Sequence, residues 1–94
     1  MPVIAPEGAI IIDSADMLAN ITNGLLKATT HRVVNTTGSQ EARYSMPFFV
    51  HPRQEVSLAP RQACVEQNPG DFGRDITAKA FLRERLIEIG VLSV

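Results

Sequence analysis

The sequence predicts a mainly β protein with a short helix near its start and a second helix at its C-terminus. Three observations carry this. Ala9–Ile12 is a continuous apolar run, residues 27–34 and 42–50 alternate with a period of two, and from Asp75 onward the apolar period becomes helical. The chain has 94 residues, a formal net charge of −1, 45% hydrophobic and 20% charged residues, which suffices for a core in one small domain. A domain this short buries only about 60% of its unfolded surface, so it is marginal unless every segment joins one core.

Pro2, Pro6 and Gly8 punctuate the start, and Ala9–Ile12 then reads as a strand buried on both faces. Asp13, Ser14 and Asp16 are candidate N-caps for a short helix whose apolar residues Leu18, Ile21 and Leu25 share a face. Asn23-Gly24 supplies its left-handed stop. Lys27 to Val34 is rich in Thr and Val and reads as a strand with His31 on one face. Asn35 to Ser39 is turn chemistry, centred near Thr37 if its flanking strands form a hairpin. Ala42 to Val50 then places Arg43, Ser45, Pro47 and Phe49 on one face. Pro52 and Pro60 break the next segment, and Gln62–Gly73, with Asn68-Pro69-Gly70, reads as a surface loop carrying Cys64. Ala78, Phe81, Leu82, Leu86 and Ile89 make the apolar face of the last helix, Asp75 or Thr77 its cap and Gly90 its end, with Arg83 and Arg85 on the solvated side.

Composition excludes several classes of function. Lys and Arg are neither in excess nor clustered, which argues against a nucleic-acid partner. The longest early apolar run is far shorter than the roughly 20 residues of a membrane span, and no basic leader precedes it, so the expectation is a cytoplasmic protein without a membrane partner. One cysteine permits no internal disulfide and no thiolate zinc site, and Cys64 has no neighbouring histidine to activate it.

If the two alternating segments line one interior, His31, Arg43 and Ser45 converge there. An imidazole offers a metal a neutral nitrogen. An Arg fork and a hydroxyl two residues away on the same face match one carboxylate. Taken singly, each has a plainer role: a satisfied structural histidine, and an ion pair of Arg43 with Glu41 or Glu55. His51, before Pro52, reads as solvated.

Asp16-Met17-Leu18, Thr22-Asn23-Gly24, Thr30-His31-Arg32-Val33, Arg43-Tyr44-Ser45 and Pro47-Phe48-Phe49 occur in an order and spacing that resemble the C-terminal signature of the isopenicillin N synthase-like Fe(II)/2-oxoglutarate-dependent dioxygenases. The resemblance runs from about Pro6 to the C-terminus, and the segment 76–90 is similar to the helix that closes these enzymes. It implies a partial double-stranded β-helix, or jelly roll, with strands over about 9–60 and a C-terminal helix over about 75–89. Residues 1–94 would then form the C-terminal part of an oxygenase domain. In that fold the strands carrying His31 and Arg43 lie in facing sheets, which displaces the hairpin.

By the same resemblance His31 is the distant histidine ligand of a facial iron triad. Arg43 and Ser45 bind the C5 carboxylate of 2-oxoglutarate. Apart from the resemblance, Phe48 and Phe49 on opposite strand faces read most simply as core and sheet packing, and Phe49, on the Arg43 face, is a candidate for lining a substrate pocket. Fe(II) is the implied cofactor and 2-oxoglutarate the cosubstrate. The implied reaction couples oxidative decarboxylation of 2-oxoglutarate to oxidation of a small organic molecule.

The departures are specific. Neither of the two histidines, His31 and His51, is followed by x-Asp or x-Glu, so the family's His-x-Asp pair is absent and two of its three metal ligands are missing. Asp13-Ser14-Ala15-Asp16 replaces the more usual Asn-x-Gly-Asp. The chain alone is therefore expected to be inactive, either a truncated product in which Met1 is an internal residue or a non-catalytic interaction module. A second chain covering the open half of the fold is a further expected partner.

Overall fold

In a computed structural model of the chain, residues 1–35, 38 and 40–94 are described. Among the described residues three helices follow in order: α1 (Asp16–Ile21), α2 (Gln62–Gln67) and α3 (Ala78–Glu88). The mainly β expectation, and with it the partial jelly roll over about 9–60, is overturned. Among the described residues the only β pairing is an isolated antiparallel bridge, Ser57 with Thr77.

The reason is physical. A strand exists only where a neighbouring backbone accepts its hydrogen bonds, and segments 9–12, 27–34 and 42–50 show no ladder partner among the described residues. Their side chains stand in solvent, with Ile12 92% and Phe48 90% exposed. The radius of gyration is 16.4 Å, against roughly 12 Å for a compact chain of this length. The turn expected over 35–39 falls largely on residues 36, 37 and 39, outside the described residues.

Backbone pairing occurs instead where prolines flank the chain. Leu58 N–H donates to Ile76 O at 2.7 Å, and Ala78 N–H donates to Val56 O at 2.9 Å. Ser57 Oγ donates to Asp75 Oδ1 at 2.8 Å beside the bridge. This brings Leu58 onto Ala78 and Phe81 of α3, with Met17 and Ile76 packed against the three.

α3 starts at Thr77, whose Oγ1 accepts from Ala80 N–H at 3.2 Å and so satisfies one of the free donors of the first turn. It ends before Gly90, in the left-handed region at φ 82. α1 has no side-chain cap: its N-cap is Ala15, and Asp16 is already helical. α2, where a loop was expected, is uncapped and leaves Cys64 half-buried.

Two asparagines organise the packing. Asn20 donates from Nδ2 to Leu58 O (2.7 Å) and Arg74 O (3.0 Å), and its Oδ1 accepts from Arg74 N–H at 3.0 Å. Asn23 donates from Nδ2 to Asn68 O (2.8 Å) and Gly70 O (3.0 Å), and its Oδ1 accepts from Gly73 N–H at 2.9 Å. Both are buried. Each amide therefore satisfies loop backbone groups that would otherwise be costly to remove from water. The approach is close enough to require glycine at 73, where a Cβ would collide with the Pro60 ring and Asn20 O.

Arg85, expected on the solvated side of α3, is half-buried. Its Nε lies 3.0 Å from Asp16 Oδ2, Nη1 donates to Glu88 Oε2 at 2.6 Å, and its guanidinium sits 5.1 Å from the Phe81 ring centre. The hydrogen bond to Glu88, with the charge of Asp16, raises its pKa. Arg74 approaches the same ring at 5.9 Å and pairs with Glu84 at 2.8 Å. Phe81 thus lies within cation–π distance of two arginines.

Candidate functional site

His31 lies in the extended segment before residue 36, and its ring is held at both nitrogens. Nδ1 lies 2.9 Å from Thr29 O. A carbonyl only accepts, so Nδ1 carries the proton in that contact, and in the neutral ring the lone pair is on Nε2. Nε2 faces Asp13 Oδ2 at 3.6 Å. The two segments are tied beside this pair by Ser14 Oγ, which donates to Lys27 O at 2.9 Å. Asp13 is therefore not a helix cap; it is the carboxylate opposite the accessible nitrogen of His31.

Arg43 and Ser45 are exposed in the extended segment 42–50. They line neither of the two cavities described below, and the structure gives no contact joining either of them to His31. Phe49 stacks on His51, ring centres 6.4 Å apart and planes at 24°. Phe49 also lines an open cleft of about 750 Å³ with Ile11, Ile12, Phe48, Met17 and Phe81. A second opening of about 450 Å³, between His51–Gln54 and α3, is lined by Met17, Leu82 and Leu86.

The donor chemistry bears on which groups this region could hold. An imidazole nitrogen with a carbonyl fixing its tautomer suits iron and similar transition metals, and the Arg fork and hydroxyl suit a carboxylate. The number of donors is small. Among the described residues no three His, Cys, Asp or Glu side chains come together. No helix there is long and apolar enough to cross a membrane.

Residues 2–52 match the 2OG-Fe(II) oxygenase superfamily. This chain belongs to that superfamily. The superfamily is one that uses Fe(II) and 2-oxoglutarate, and the matched segment contains His31, Arg43, Ser45 and Phe49. Among its relatives, a 2-oxoglutarate-Fe(II) type oxidoreductase of Aspergillus fumigatus is 50% identical over 42 residues, 45% of this chain and 12% of that protein. The 1-aminocyclopropane-1-carboxylate oxidase homolog 5 of Arabidopsis thaliana is 36% identical over 78 residues, 79% of this chain and 19% of that protein. The proline hydroxylase buaE of Petromyces alliaceus is 31% identical over 94% of this chain and 30% of its own length. The chain thus spans less than a third of each of these proteins. No solved structure matches it.

The sequence pointed to His31, Arg43, Ser45 and Phe49 by block order; beside the His31 ring the structure places Asp13 and the Thr29 carbonyl. Asp13 was read as a cap because it precedes a helix; its partner lies 18 residues away and leaves no local signal.

Proposed function

We propose that this chain supplies the C-terminal cofactor-recognition residues of a non-haem Fe(II)/2-oxoglutarate oxygenase domain. His31 is the single histidine ligand it contributes, and Arg43 with Ser45 grips the C5 carboxylate of 2-oxoglutarate. Fe(II), held in part by His31 Nε2, would supply the oxygen chemistry that couples decarboxylation of 2-oxoglutarate to oxidation of a small organic substrate. The contact of His31 Nδ1 with Thr29 O would orient the ring for that role. The Arg43 fork neutralises the carboxylate and fixes its direction, and Ser45 adds one hydroxyl bond. Phe49 and the neighbouring Ile residues give the open cleft an apolar wall against which a substrate would pack.

The observation that carries this reading is the superfamily match across residues 2–52, which includes all four residues. With two family ligands missing from these residues, they do not by themselves make up a complete iron site. The exposure of Ile10, Ile12, Phe48 and Val50 supports an apolar surface that the rest of that domain, on the same polypeptide or a second chain, covers. The same exposure favours the second reading, a non-catalytic interaction module.

Translating the gene in frame upstream of Met1 distinguishes them. A His-x-Asp segment is expected there; a stop codon without one supports the interaction module. In the extended polypeptide, succinate formation from 2-oxoglutarate is expected. Arg43→Ala should raise the KM for 2-oxoglutarate roughly tenfold to a hundredfold, the value of a hydrogen-bonded charge pair. An unchanged KM overturns the role of Arg43.

A further inference from the structure

We propose that the cleft between residues 51–54 and α3 is a binding site for an amphipathic organic acid, a carboxylate carried on an aliphatic tail. None of His31, Arg43 and Ser45 lines this cleft, so the inference does not depend on their roles.

Backbone hydrogen bonds hold its walls. Lys79 N–H donates to Gln54 O at 3.0 Å, next to the Ala78 to Val56 bond, and Val56 N–H donates to Arg53 O at 3.1 Å. These bonds fix the turn at 53–56 against the start of α3. At the other end of the helix the N–H groups of Val91 and Leu92 both donate to Leu86 O, at 2.9 and 3.1 Å, which folds the chain back and brings Leu92 to the cleft. The opening of about 450 Å³ falls in the range of small-molecule sites, roughly 300–1,000 Å³.

The lining has two kinds of group. Met17, Leu82, Leu86 and Leu92 give apolar surface, of which Leu82 and Leu92 remain 36% and 43% exposed. Arg53, Lys79 and Arg83 line the same cleft, and no Asp or Glu does. Three of the nine Lys and Arg residues thus meet here in a chain of net charge −1. Lys79 and Arg83 are four residues apart on α3, a spacing at which like charges repel. The acids of that helix do not relieve this, because Glu84 pairs with Arg74 and Glu88 with Arg85. Among the described residues no ion pair joins Arg53, Lys79 or Arg83 to a carboxylate. The larger cleft beside Phe49, lined by Asp13, Asp16 and Arg85, has no such positive excess.

A carboxylate matches the charged groups: a guanidinium binds it through two parallel N–H bonds, and the Lys79 ammonium adds a compact charge. An aliphatic tail matches the leucines, whose exposed surface it removes from water. A purely polar anion leaves the leucines wet, and a neutral hydrocarbon leaves the three cations uncompensated.

The test is titration of the full chain with decanoate below its micelle concentration, followed by backbone amide NMR. Saturable shifts are expected at Leu82, Arg83, Leu86 and Leu92, with none from acetate and binding about tenfold or more weaker from decanol, which lacks the charge. Lys79→Gln combined with Arg83→Gln should weaken decanoate by about tenfold or more and leave decanol unchanged. Leu92→Ser should weaken both. Both substitutions lie outside the core of Leu58, Ala78 and Phe81, so the fold is expected to survive them. If decanol binds as tightly as decanoate, or the double variant binds decanoate like the wild type, the cations have no part and the proposal is overturned. It is equally overturned if decanoate shifts no amide or only those around Phe49. If hexaglutamate displaces decanoate with the same affinity, the cleft reads acidic peptide and the aliphatic acid is the wrong ligand.

Discussion

Leu58 and Phe81 are 1% and 4% exposed, whereas Phe49 and Val50, comparably large and apolar, are 76% and 82% exposed. The two regions do not differ in residue type; they differ in whether a partner surface exists within the chain. Around Leu58 and Phe81, α1, α3 and the loop between α2 and α3 supply apolar contacts and matched backbone groups. Around Phe49 the chain supplies an open cleft. The packed region holds itself together, while the region that carries the superfamily residues presents them on extended, exposed backbone.

Substitutions should separate the two regions sharply. Phe81→Ala removes the ring at the centre of the core and is expected to cost about 3–5 kcal/mol, enough to unfold a domain this small, as read by urea denaturation. Next in size, Asn20→Ala strands the Leu58 and Arg74 backbone groups and should cost roughly 2–4 kcal/mol. Asn20→Asp should be comparably harmful, because a carboxylate facing two carbonyls cannot donate. Arg43→Ala and Ser45→Ala, by contrast, should leave stability within about 0.5 kcal/mol of the wild type in the same assay. A large loss at either would mean that segment 42–50 packs after all.

The smallest effect is electrostatic. The hydrogen bond from Arg74 holds the Glu84 carboxyl below its ordinary pKa. A depressed carboxyl pKa contributes stability above the unfolded value, and that contribution disappears as pH falls through the folded one. Between about pH 5 and pH 3 the melting temperature of the wild type should therefore fall slightly more than that of Glu84→Gln, and high salt should narrow the gap because the pair is exposed.

Features written in short stretches of sequence were legible. Thr77 as the α3 cap, Gly90 at its end and Asn23-Gly24 closing the turn after α1 each depend on a few neighbouring residues. α2 was not legible, since Pro60 and Asn68-Pro69-Gly70 bracket six residues with no apolar period and no capping side chain. The asparagine clamps were invisible for another reason: Asn20 reaches residues 38 and 54 positions away. The available hint was an amide three residues after Met17, on a helix face that should be apolar. The strands failed because alternation states which face would be buried, not whether a neighbouring strand is present. The expectations at His31, Arg43, Ser45 and Phe49 rest on block order, a property of the superfamily, and Arg43 and Ser45 stand exposed on extended backbone.

The contrast between the regions is tested most directly by amide hydrogen exchange on the full chain. Slow exchange is expected at Leu58, Gly73, Arg74, Ala78 and Phe81, whose N–H groups donate within the packed region. Amides in 29–34 and 42–50 should exchange near the rate of an unstructured peptide. Protection of alternate amides along 29–34 and 42–50, the signature of a paired strand, would contradict the account.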